Sequence, residues 1–71
     1  MELSARNQIA GNITNIELGA VMAEVTLDIG GGQTVTSAIT RHSVERLGLK
    51  VGDEVVAIIK ATEVMIGKTR D

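Results

Sequence analysis

Across residues 21–29 the chain alternates without interruption: Val21, Ala23, Val25, Leu27 and Ile29 fall on one side, Met22, Glu24, Thr26 and Asp28 on the other. A period of two is the signature of a strand with one face toward a core. Gly30, Gly31 and Gly32 follow at once. Glycine reaches the positive φ values that tight hairpin turns require, so the triplet closes a hairpin onto a third strand running from Gln33 to Ile39. In that strand Val35, Ser37 and Ile39 share a face. A chain built around this hairpin is committed to a sheet.

The flanking segments extend it. Ile9, Gly11 and Ile13 keep one phase, and Ile16 and Leu18 the other. A slip of one residue in a two-residue period predicts a bulge near Thr14-Asn15. Gly19-Ala20 then turns the chain. After the third strand, a short helix is predicted from about Arg41 to Leu47, with Thr40 as N-cap. Gly48 suits the left-handed C′ position, and Leu49 would fold back on Val44. Two turns of helix cannot stand alone, so this one must pack as a plug. Val51-Gly52-Asp53-Glu54 reads as a turn, and Val55-Val56-Ala57-Ile58-Ile59 is apolar on both faces, which implies cover on both sides. In so small a chain the second cover is most simply another subunit. Val64-Met65-Ile66 reads as a short final strand. Five strands with one helix between the third and fourth is the order of an all-β, OB-like Greek-key barrel. No linker, repeat or low-complexity run divides residues 1–71, so they are expected to form one domain.

Composition narrows the function. A chain of 71 residues buries only about 60–65% of its surface, and such domains usually gain support from disulfides, metals or association. There is no cysteine and only one histidine, His42, so disulfides, thiolate sites and a histidine metal cluster within one chain are excluded. Association remains. The net charge is −2 and Phe, Tyr and Trp are all absent. Nucleic-acid surfaces are basic, and single-strand binders stack bases on aromatic rings, so neither reading fits. No apolar run reaches the roughly 18 residues of a membrane span, and the N-terminus does not resemble a signal peptide. A cytoplasmic location is the default.

No catalytic constellation is visible, and an enzyme is not expected. His42 reads as a surface or helix-start residue. The glycine triplet lacks the Lys-Ser/Thr of a phosphate loop and does not open a helix. Three polar segments stand out. Ser4-Ala5-Arg6-Asn7-Gln8 is either a solvated arm or a donor cluster. In Ile59-Lys60-Ala61-Thr62 a lysine ends the most apolar strand, where it either snorkels to water or faces an anion. Thr40 and Ser43 at the helix start serve as ordinary caps or as hydroxyl donors to an anion.

Taken together, Ser4-Ala5-Arg6-Asn7-Gln8, Ala38-Ile39-Thr40-Arg41-His42-Ser43, Leu47-Gly48-Leu49 and residues 59–66 resemble the molybdenum-pterin-binding, or molbindin, domain. The resemblance covers about residues 1–67. It implies an OB-like barrel with strand exchange between subunits, assembling as a homo-hexamer built from a trimer of dimers. It implies molybdate or tungstate bound at subunit interfaces, held by Ser4, Arg6 and Lys60 of one chain and Ser43 of another, with backbone N–H groups at Ala5 and Ala61 as further donors. Further anions near a three-fold axis are also implied. The function implied is intracellular molybdenum storage or homeostasis, with a molybdate-responsive module read by a partner protein as the alternative. Molybdate is a dianion without a proton to donate, so its site should supply donors only, and Arg6 and Lys60 would match its two charges. Protein side chains would touch oxygen, never the metal. A cavity sized for the longer metal–oxygen bond would disfavour sulfate and phosphate.

Overall fold

The computed structural model describes residues 6–70. Its elements are β1 (Asn7–Leu18), β2 (Met22–Gly30), β3 (Gln33–Thr40), α1 (Arg41–Leu47) and β4 (Glu54–Ile59), followed by a 3-10 turn at Ala61–Glu63. The four strands form one antiparallel sheet in the order β3-β2-β1-β4. It curls into a half-barrel around α1.

The alternation of β2 places Ala23, Val25 and Leu27 in the core, where they meet Ile13 of β1 and Val44 of α1. Val21 precedes the strand and is 70% exposed, so the buried phase begins one step later than the alternation suggests. The hairpin turn has φ of 64° at Gly31 and 76° at Gly32, both in the left-handed region that a type I′ turn needs. Thr40 caps α1 through a Ser43 N–H···Oγ1 bond of 3.0 Å. Gly48 closes it at φ 65°, and Leu49 N–H donates to the Val44 carbonyl at 3.1 Å. That is the Schellman arrangement.

β1 is shared. Its second half pairs with β2 and its first half with β4, and the register shifts between Ile13 and Asn15. The resulting bulge leaves Thr14 over in the register, between the pairs Ile13↔Leu27 and Asn15↔Thr26. The loop before β4 binds the main chain of Ile13: Ile13 N–H donates to the Asp53 carbonyl at 2.9 Å, and Gly52 N–H donates to the Ile13 carbonyl at 2.8 Å. Buried main-chain groups demand such partners. Gly11 serves a second close approach. A Cβ there would stand 2.8 Å from the Asp28 carbonyl oxygen, so the apolar phase at 9, 11 and 13 contains a glycine for steric reasons.

One expectation needs correction. Residues 64–66 form no strand, so the described residues hold four strands rather than five. A strand exists only where a neighbour satisfies its main chain, and this segment leaves the sheet with Met65 at 92% and Ile66 at 90% exposure. Within one chain β4 has one half-buried face (Val55, Ala57, Ile59) and an outward face on which Val56 and Ile58 are over 40% exposed, the face for which cover by another subunit is expected. Between the free edges of β3 and β4 lies an apolar groove of about 520 Å³, lined by Val35, Ile39, Leu47, Leu49, Val55 and Ile59 among others. No helix among the described residues is long and apolar enough to cross a membrane.

Candidate functional site

The antiparallel ladder between β1 and β4 ends at the pair Asn7↔Ile59. Carried one step further, the same register sets Arg6 opposite Lys60. Directly opposed residues in an antiparallel pair have Cα atoms about 4.5–5.5 Å apart, and opposed like charges destabilise a sheet. Both side chains are exposed. Among the described residues the ion pair is Arg41–Glu45 on α1, at 3.5 Å, and neither Arg6 nor Lys60 has a carboxylate partner. The register thus sets two cationic residues next to the last ladder pair, and neither makes an ion pair among the described residues.

Lys60 is extended, at φ −65° and ψ 142°, and the chain then tightens into the 3-10 turn that begins at Ala61. Glu63 N–H donates to the Lys60 carbonyl at 2.9 Å, which fixes the direction in which the chain leaves the lysine. On the other side, the Asn7 carboxamide Nδ2 donates to the Ile59 carbonyl oxygen at 3.0 Å. Sequence reading placed Asn7 in the polar cluster without giving it a role. Its signal is phase: it occupies the inward series that continues through Ile9, Gly11 and Ile13, where an apolar residue would be expected.

Ser43 lies elsewhere. Thr40, at the end of β3, pairs with Met22 at the start of β2, which adjoins the Leu18 end of β1. The helix start thus sits toward the end of the sheet opposite Arg6 and Lys60. There the Ser43 and Thr40 hydroxyls are 2.7 Å apart. One chain brings Arg6, Lys60 and Ala61 together and leaves Ser43 apart. Ser4 and Ala5 lie outside the described residues. His42 is exposed on α1. No cluster of three or more His, Cys, Asp or Glu residues able to hold a metal ion occurs among the described residues. Arg6 and Lys60 offer cations and Ala61 a main-chain N–H, a donor set that suits an anion with several acceptor oxygens, while the exposed carboxylate of Glu63 closes the 3-10 turn three residues on.

Comparison with known proteins gives this arrangement a lineage. Residues 3–66 match the TOBE domain. Molybdenum-pterin-binding protein 1 of Clostridium pasteurianum is 50% identical over 66 residues, spanning 93% of this chain and 97% of that protein. The chain belongs to the molybdenum-pterin-binding family of TOBE-domain proteins. Among solved structures in this family, a molybdate-binding protein from Sporomusa ovata superposes with a TM-score of 0.90 at 40% identity, covering 96% of this chain and 100% of that one. The cytoplasmic molybdate-binding protein ModG, crystallised with molybdate bound, gives a TM-score of 0.87 at 49% identity and covers 92% of this chain. The match accounts for 46% of ModG, so this chain spans about half the length of that relative. The OB-like, all-β fold with one short helix expected of a family member is found here, as a half-barrel of four strands among the described residues.

Proposed function

We propose that this protein binds molybdate or tungstate at sites shared between subunits and serves intracellular molybdenum storage or homeostasis. The observation that carries the reading is the placement of Arg6 and Lys60 at the end of the β1–β4 ladder, with no ion pair to either among the described residues. A dianion between them turns a repulsion into two charge-assisted contacts. Ser4 and the backbone N–H groups at Ala5 and Ala61 complete the donor set on that chain, and Ser43 of a neighbouring subunit supplies a hydroxyl from outside. The separation of Ser43 from Arg6 within one chain supports the shared arrangement, as do the printed names of the relatives, which are molybdenum-pterin-binding and molybdate-binding proteins. Binding, rather than catalysis, is the activity proposed, in the cytoplasm.

The same reading assigns the association. Val64, Met65 and Ile66 extend from one chain with 46%, 92% and 90% exposure, and an apolar groove lies between β3 and β4. Exchange of the terminal segments between two copies would give each barrel its fifth strand and cover both exposures together. Further assembly of three such dimers would give the hexamer.

Titration calorimetry with molybdate tests the function. Arg6→Ala and Lys60→Ala should each weaken binding at least tenfold, since a hydrogen bond to a charged group contributes roughly 1.5–3 kcal/mol. Absence of binding heat in the parent protein at millimolar anion refutes the function, and parent affinity in both variants refutes the site.

A further inference from the structure

Asn7 places a carboxamide in the inward row of β1, immediately before the paired cations. It is half-buried, and its Nδ2 donates to the main-chain carbonyl of Ile59 across 52 positions of sequence. Asn7 and Ile59 are also the last partners of the β1–β4 ladder. A side chain thus adds a bond at the point where a ladder is weakest, and the two residues next in line are both cationic. We infer that Asn7 is a positioning residue of the anion site, clamping the end of β4 to the start of β1 so that Arg6 and Lys60 stay at the spacing an oxyanion bridges.

This role for Asn7 rests on the oxyanion reading above and deepens it. Strand ends fray at low free energy, and two like charges at a frayed end move apart. A site whose cations separate when empty must be drawn together by the ligand, and apparent affinity falls by the fraction of time it is open. The Asn7 clamp opposes this from within the chain and touches no ligand. An apolar residue of similar size would satisfy the inward phase equally well, yet could not donate to Ile59. Packing alone therefore does not account for the asparagine.

Three forms of the full chain decide the matter: the parent, Asn7→Leu, and Asn7→Gln, which keeps a carboxamide donor on a longer stem. Each is titrated with sodium molybdate, and amide hydrogen exchange is followed without anion. Asn7→Leu is expected to bind about three- to tenfold more weakly, the equivalent of one neutral hydrogen bond. Its amides at residues 59–61 should exchange faster while those of Val25 and Leu27 keep the parent rate. Asn7→Gln should recover part of the lost affinity. The inference is overturned if Asn7→Leu binds like the parent, if its exchange rises equally at Val25 and Leu27, or if Asn7→Gln is no better than Asn7→Leu. Failure of the oxyanion reading looks different: the parent itself then gives no binding heat, while local exchange at residues 59–61 still reports whether the clamp exists.

Discussion

Replacing Gly11 by alanine adds one methyl group where two strands come closest. The new Cβ would stand 2.8 Å from the Asp28 carbonyl oxygen and 3.1 Å from Cγ2 of Ile29. Ordinary carbon–oxygen contacts begin at about 3.3 Å, so β1 and β2 must separate by roughly half an ångström at that point. The obstacle is main chain and cannot swing aside. Overpacking of this kind costs about 1–3 kcal/mol. Against it stands the lower unfolded-state entropy of alanine, worth about 0.4–1 kcal/mol where the native backbone is acceptable. The backbone here is acceptable, because Gly11 is not among the glycines with positive φ. The balance is a net loss of about 1–2 kcal/mol. For a domain of this size each kcal/mol moves the thermal midpoint by roughly 4–8 °C, so Gly11→Ala should melt about 5–15 °C lower. Circular dichroism at fixed chain concentration is the assay, since association makes the midpoint concentration-dependent. Gly67→Ala, where a Cβ meets nothing within 4 Å, is the control and should change stability by less than about 0.5 kcal/mol. A Gly11→Ala midpoint equal to or above that of the parent would refute the steric argument.

Two further outcomes follow from the same coordinates. Gly48→Ala forces an L side chain to φ 65° at the end of α1 and should cost about 1 kcal/mol in urea unfolding; an unchanged midpoint would mean that the helix end relaxes freely. Met65→Asp combined with Ile66→Asp should lower the sedimenting mass toward that of one chain, and an unchanged mass would show that the terminal segment is not what joins the subunits.

Local signals made much of this fold readable. The strand alternation in β2, the glycine pair of the I′ turn and the Thr40 and Gly48 caps all act within a few residues, so their sequence patterns and their structures coincide. The bulge near Thr14 showed as a slip of phase. What stayed hidden was non-local. Spacing could not decide whether Lys60 meets water or an anion, because the deciding neighbour, Arg6, is 54 positions away and arrives only through strand pairing. Gly11 read as one more member of an apolar set, since nothing in its own segment reveals how near β2 passes. Residues 64–66 carry a strand pattern but find no edge to join within their own chain, and a pattern does not say where its partner lies.

The division of β1 at its bulge also orders the assembly of the molecule. Leu18 and Ala23, the first partners of β1 and β2, are separated by five positions, whereas Asn7 and Ile59 are separated by 52. Loop closure over the longer span costs about 2 kcal/mol more in chain entropy. The three-stranded meander is therefore expected to form early and β4 to dock late, once the turn around Gly52 and Asp53 has reached the main chain of Ile13. Arg6 and Lys60 meet in that last step. The cationic end of the barrel is thus the last part to form, and the anion proposed to bridge it would act as a fastener for the step that completes the fold.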